Sequence, residues 1–172
     1  KTAQISASVK FTHEGNTSAD ISYRGFESVG TVSDGTVWHS RDLPLLITQG
    51  FAMVPLGHAL TIEPGTVIKL GSPNRQGQMI ISGNLIAQGT KLSPIYFTSY
   101  KDDSVGGDTN ADVDSTIPLK RDWQALIFEN GSSGALDHVN IRYGGETLLI
   151  PGVFAALYNR GGGLEINNSF IG

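Results

Sequence analysis

An acidic run between residues 102 and 114 carries the side chains with the clearest chemical potential in this sequence. Oxygen-bearing side chains stand there at alternate positions, namely Asp108, Asn110, Asp112 and Asp114. A curled loop can turn such side chains toward one ion, and calcium takes about six to eight oxygen ligands of this kind. With the flanking carboxylates added, the predicted calcium ligands are Asp102, Asp103, Asp108, Asn110, Asp112, Asp114 and Asp122. The alternative is an acidic loop that only water solvates.

The four histidines do not predict a metal or catalytic site. His13, His39, His58 and His138 lack metal-ligand spacing, and neither Cys nor His stands in the acidic run, which disfavours zinc. Asp137 and His138 are adjacent, but consecutive residues of a strand point to opposite faces of a sheet. We therefore expect His138 to occupy a surface or a corner and not to work with Asp137.

Short β-strands must position the acidic run, because sustained helical periodicity is lacking. Brief apolar segments end at Gly, Asn or Pro-Gly, at residues 60–62, 67–70, 79–81, 85–87, 95–97, 126–128, 139–141 and 164–166. Two units align at an offset of about 18 to 19 residues, which places Val67 against Leu85 and Ile62 against Ile81. A repeat near this length is typical of a solenoid, in which each coil buries its inward side chains on the next. A β-sandwich or jelly roll is the alternative.

Composition narrows the function classes. The 172 residues suit one domain, with 16% charged residues, 22 glycines and no cysteine, so that disulfides and thiolate metal sites are excluded. The net charge of −4 and the scattered basic residues argue against nucleic-acid binding. No apolar run approaches the roughly 20 residues that span a bilayer, so membrane insertion is not expected.

Several segments carry a family resemblance. Residues 59–70 (ALTIEPGTVIKL), 83–90 (GNLIAQGT), 94–99 (PIYFTS) and 136–145 (LDHVNIRYGG) resemble coils of right-handed parallel β-helix repeat proteins of bacterial surfaces and of secreted multidomain proteins. In such proteins a Thr-Ser pair often leads into an acidic insertion and then a strand that contains Trp, here Trp123. The chain departs from the pattern at three positions where glycine is usual, Ala111, Val113 and Arg121.

The resemblance implies an all-β fold, a right-handed parallel β-helix over residues 36–172 with the acidic insertion at 99–121. Residues 1–35 are then expected to form an N-terminal β cap, read as a hairpin or capping sheet. Because residues 167–172 stop within a coil-like pattern, we interpret the chain as a fragment of a longer protein. A homodimer through an open coil end is a further expectation.

Two functions follow from the resemblance as hypotheses. The first is a calcium-stabilised module of a large bacterial protein, secreted or on the cell surface, that acts as a rigid stalk or as an adhesive surface for a polysaccharide or surface glycan. The second is part of a polysaccharide lyase or glycoside hydrolase, for which the candidates on one flank are Asp137, Arg142, Glu146 and Glu165. Aromatic residues that could stack on sugars are Trp38, Trp123, Tyr143 and Tyr158, although Trp123 is expected to anchor the insertion to the core.

Overall fold

The computed structural model describes residues 3–6, 24–40, 42–73, 77–146, 152 and 154–172. These residues form β-strands joined by turns and loops, and they contain no helix that could cross a membrane. The strands are β1 (Ala3–Ser6), β2 (Phe26–Thr31), β3 (Thr36–Trp38), β4 (Leu45–Ile47), β5 (Phe51–Val54), β6 (Ala59–Ile62), β7 (Val67–Leu70), β8 (Gln78–Ile81), β9 (Asn84–Gln88), β10 (Ile95–Ser99), β11 (Leu126–Phe128), β12 (Ser133–Asp137), β13 (Val139–Ile141), β14 (Leu157–Asn159), β15 (Gly163–Asn167) and β16 (Phe170–Ile171).

The strands pair in parallel and form two sheets. From β3 to β16 each strand pairs with the strand three places along the chain, so that β4, β7, β10, β13 and β16 lie side by side. The larger sheet has the order β14-β11-β8-β5-β2-β4-β7-β10-β13-β16, with β1 on β2, and the smaller has the order β15-β12-β9-β6-β3. This arrangement is all-β and compatible with a β-solenoid.

The structural repeat differs from the offset inferred from the sequence. Leu45 pairs with Ile68 and Ile68 with Phe97, which are offsets of 23 and 29 residues. Val67 pairs with Tyr96 and not with Leu85, so the predicted alignment is wrong. The two aligned units are β6–β7 and β8–β9, so the alignment set β6 against β8 and β7 against β9, which lie in different sheets. A likeness between neighbouring strand-turn-strand units was mistaken for the repeat, which spans three strands.

Apolar side chains stacked between the sheets form the core. On the larger sheet Leu45, Ile68, Phe97 and Ile141 lie in one inward row in register, all of them buried. Buried rows on parallel strands give nearly continuous Val, Ile and Leu segments, as the sequence shows. The acidic run is therefore carried by two sheets whose inner faces are packed against each other.

The described part of the N-terminal segment joins the same sheets. β1 pairs in parallel with β2, and β2 in turn pairs with both β4 and β5. A hairpin needs antiparallel neighbours, so these two strands do not form one. The turn predicted around His13 lies outside the described residues.

Candidate metal centre

The acidic loop (residues 102–114) lies within the connection between β10 and β11 and crosses the outer face of the larger sheet. Beneath it, the outward row of Leu46, Lys69 and Thr98 is buried. At its far side the backbone N–H of Arg24 donates to Thr109 O at 2.7 Å. The loop thus extends from β10 back toward the start of β2.

Asp102 fixes the first end of the acidic loop. Its carboxylate is buried and accepts hydrogen bonds from the Thr98 hydroxyl at 2.5 Å and from the Ser104 backbone N–H at 3.2 Å. The Ser104 hydroxyl donates to it as well. Protein donors therefore satisfy much of this carboxylate.

Asp122 fixes the return of the chain. It accepts hydrogen bonds from the Ser99 hydroxyl at 2.8 Å and the Leu119 N–H at 2.9 Å, and Lys101 Nζ lies 2.9 Å away. The Asp122 carbonyl lies so close to Gly71 that a Cβ on that glycine would stand 2.5 Å from the oxygen. Glycine is required at position 71 by this approach, and also by its φ of 96°.

Trp123 follows as a core anchor, as predicted. Its ring is buried, and its Nε1–H donates to Arg142 O at 2.8 Å. Trp38 is buried too, so neither tryptophan presents a surface for stacking.

Three carboxylates of the acidic loop converge. Oxygens of Asp103, Asp108 and Asp112 lie within 4.8 Å of one another. The Asp112 N–H donates to Asp108 at 3.1 Å, which curls the loop onto itself, and Arg24 Nη1 lies 3.2 Å from Asp108. Such a spacing suits shared coordination of one hard cation by carboxylate oxygens.

Two oxygens beside this cluster have no hydrogen-bond donor among the described residues. Asp103 Oδ1 and Asn110 Oδ1 are both buried and unpartnered. The Asn110 amide is oriented by its nitrogen, which donates to Asp112 at 2.7 Å and to the Thr116 hydroxyl at 2.9 Å. A buried oxygen without a donor is costly, and a cation satisfies it.

Electrostatics favour a cation at this cluster. Burial raises the pKa of the Asp103 carboxyl above its ordinary value; Lys69 opposes this rise, while Asp108, Asp112 and Asp114 add to it. The crowded carboxylates therefore destabilise one another when all are ionised.

Lys69 is the functional residue that the sequence interpretation missed. It is fully buried beneath the loop, and Nζ donates to Gly107 O at 2.6 Å. Burial lowers its pKa from 10.5 to about 8, against the opposing attraction of Asp103, Asp102 and Asp108. The available signal was a single charged residue inside the apolar strand β7.

Four residues of this region have positive φ without being glycine. The angles are 55° at Ala111, 52° at Val113, 60° at Asp114 and 71° at Arg121. Three of them, Ala111, Val113 and Arg121, are the positions where the proteins that the sequence resembles are expected to have glycine. The backbone thus keeps a left-handed geometry that glycine adopts at little cost and a β-branched residue such as Val113 adopts with strain.

The predicted ligands therefore separate into groups. Asp103, Asp108 and Asp112 come together with Asn110 alongside, whereas Asp114 is exposed. Asp102 and Asp122 accept hydrogen bonds from protein groups near the two ends of the connection between β10 and β11, and the structure gives them an anchoring position.

The residues considered for carbohydrate cleavage lie apart. Asp137 and Glu165 belong to the smaller sheet, Arg142 follows β13 of the larger one, and Glu146 pairs with Arg121 at 2.9 Å. The four residues are thus divided between the smaller sheet and the segment that follows β13.

His138 corrects one expectation. It lies at the corner between β12 and β13 with a φ of 49°, and its Nδ1 is 2.9 Å from Asp137 Oδ1. The opposite-face rule for strands does not apply there, because the chain turns at that residue. The hydrogen bond from the Asn168 amide, and to a smaller extent the contact with His138, hold the pKa of the Asp137 carboxyl below its ordinary value.

Comparison of the chain with protein-family models, with curated proteins and with solved structures gave no match.

Proposed function

We propose that this chain is a right-handed parallel β-helical module of a secreted or cell-surface bacterial protein, in which calcium stabilises the acidic loop and the module serves as a rigid stalk or adhesive surface. The right hand is proposed because crossover connections between parallel strands are strongly biased to be right-handed. The ladder of parallel strands supports a stiff body, and the outer faces supply a surface for contact.

One observation carries the calcium proposal. Carboxylates of Asp103, Asp108 and Asp112 converge, while Asp103 Oδ1 and Asn110 Oδ1 are buried without a donor in the described part of the chain. A calcium ion there would be coordinated by these oxygens, and its charge would offset the burial and, after it, the repulsion from neighbouring carboxylates that raise the pKa of Asp103. Lys69 and Arg24 offset only part of the local negative charge.

Asp103→Asn is the sharpest test, because no described donor bonds to this carboxylate and the substitution therefore breaks no loop contact. We expect calcium at about a hundredfold excess over its dissociation constant to add about 2.7 kcal/mol to the free energy of unfolding. For a chain of this size that corresponds to a rise in Tm of roughly 5–10 °C, reversed by a chelator.

Asp103→Asn should lose most of this calcium-dependent rise while melting at or above the wild-type temperature in chelator. Glu165→Gln, which neutralises an exposed carboxylate on the smaller sheet, is the matched control and should keep the full response. If the melting of the wild type is indifferent to calcium, the loop is solvated by water and the calcium proposal is wrong.

A further inference from the structure

A groove on the outer face of the larger sheet lies beyond the acidic loop. Its volume is about 430 Å³, and it is lined by Lys120, Asn140, Arg142, Tyr143, Phe170 and Gly172. Volumes of this order accommodate small ligands. The groove is open on one side, which suits part of a longer chain.

An outward row of side chains forms one part of this surface. Tyr96 pairs with Asn140 and Asn140 with Phe170, so one side chain from each of β10, β13 and β16 follows in register. Adjacent parallel strands are about 4.8 Å apart, and the row therefore offers aromatic, amide and aromatic groups in succession. Phe170 is 55% exposed, and Asn140 is partly exposed.

The groove also holds positive charge that no carboxylate of the described residues pairs with. Of the four arginines in the described part of the chain, Arg24, Arg121 and Arg160 each contact a carboxylate. Arg142 has no such partner there and lies over the Tyr96 ring, with its guanidinium carbon 5.1 Å from the centroid. Lys120, exposed at the end of the insertion, likewise has no acidic partner among the described residues.

We propose that this groove binds an oligosaccharide of uronic acids, which deepens and rests on the proposed adhesive role. The Arg142 fork matches the geometry of a sugar carboxylate, and Lys120 supplies a second positive charge. Phe170 and Tyr143 provide apolar surface for the faces of the sugar rings, and the Asn140 amide can both donate to and accept from hydroxyls. Nucleic acid is disfavoured, because its backbone requires many cations and this chain has a net charge of −4.

The test is calorimetric titration of the 172-residue chain with tetragalacturonate, its methyl ester and an oligothymidylate of similar length, in the presence of a chelator. The chelator prevents calcium from bridging the sugar to the protein. We expect the free acid to bind at least roughly tenfold tighter than the ester, because the ester lacks the charge that Arg142 and Lys120 recognise.

Arg142→Gln and Lys120→Gln should each weaken binding of the free acid, Arg142→Gln by roughly tenfold or more. Lys91→Gln removes an equal charge from an exposed lysine outside the groove and should leave the affinity unchanged. Melting of each variant checks that it folds. Arg142→Gln is expected to fold because the Arg142 group that accepts from Trp123 is its backbone carbonyl.

Equal binding of acid and ester, no binding of either, or tighter binding of the oligothymidylate would overturn the inference. Failure of the proposed calcium site is distinguishable from failure of the groove proposal, since Asp103→Asn keeps the groove intact. Tetragalacturonate binding without any calcium response would contradict only the calcium site. A calcium response without tetragalacturonate binding would contradict only the groove proposal.

Discussion

Lys69 is a buried cation that lies next to the carboxylates of the acidic loop, where negative charges outnumber positive ones. The ammonium sits beneath the acidic loop, bonded to Gly107 O, where it neutralises part of the negative charge without occupying the space between Asp103, Asp108 and Asp112. Burial destabilises the charged ammonium more than the neighbouring carboxylates stabilise it, and its pKa therefore falls to about 8. This side chain links the stability of the frame to the charge of the loop.

Lys69 makes stability depend on pH in the alkaline range. Between about pH 8 and pH 10.5 the folded lysine has lost its proton while the unfolded lysine keeps it, so the unfolded state binds more protons and stability rises with pH. The rise from this group is up to roughly 3 kcal/mol. Urea unfolding across the interval should show it in the wild type, and Lys69→Met should abolish it.

The exposed Lys91→Met is the control for that experiment and should retain the wild-type slope. A Lys69→Met variant whose stability still rises to the same extent would contradict the assignment. In the same variant calcium should bind more tightly, because a positive charge that repels the ion is gone.

The left-handed backbone of the acidic loop gives a second prediction. Val113→Gly should raise the free energy of unfolding by roughly 1 kcal/mol, because glycine relieves strain at a φ of 52°. Thermal melting in chelator measures the gain. Ile117→Gly, at an exposed loop position outside the set with positive φ, is the control and should destabilise the fold. A loss of stability in both variants would refute the strain argument.

At the scale of elements, the connection from β10 to β11 is held at its two ends. The Asp122 carboxylate contacts Ser99, Lys101 and Leu119. Its removal should therefore release the segment that leads into β11. We expect Asp122→Ala to lower the free energy of unfolding by roughly 2–4 kcal/mol, since buried donors lose their acceptor. Denaturant unfolding measures this loss.

Asp137→Ala serves for comparison, because its carboxylate is a partly exposed acceptor of the Asn168 amide and should matter little. If Asp122→Ala and Asp137→Ala destabilise equally, the anchoring position given to Asp122 is wrong.

The sequence predicted individual strands better than their pairing. Apolar segments such as residues 67–70 and 95–97 lie in strands as expected, because short runs bounded by Gly or Pro mark buried strands. The strands β5, β12, β14 and β16 were missed: β5 begins with exposed Phe51, β12 contains Gly134, and β14 and β16 have only three and two residues. Without these strands the repeat of three strands could not be recognised, and the length of the repeat was underestimated.

The candidate site was predictable in composition but not in geometry. The spacing of Asp108, Asn110 and Asp112 indicated an oxygen-rich loop. Which carboxylates converge depends on contacts distant in sequence, with Arg24 and Lys69, and these arise only when β2 and β7 lie beside β10. The ligand assignment and the bound ion remain predictions.

At the scale of the molecule, stability should vary along the stack. Strands β7, β8 and β9 have a partner on both sides, whereas β16 is paired only with β13. Amide hydrogen exchange should therefore be roughly a hundredfold slower in the central triplet than at β16. Protection of β16 equal to that of β7 would contradict this gradient.

The span from β10 to β11 has a consequence for how such a surface can change. Pairing of β10 with β7 and of β11 with β8 keeps the same step as elsewhere, although residues 100–125 intervene between β10 and β11 and only residues 71–77 between β7 and β8. Asp102 and Asp122 hold the two ends of this connection. Its interior covers the buried side chains of Leu46, Lys69 and Thr98 and contacts Arg24, so a connection of different length can replace it only if it also covers those side chains.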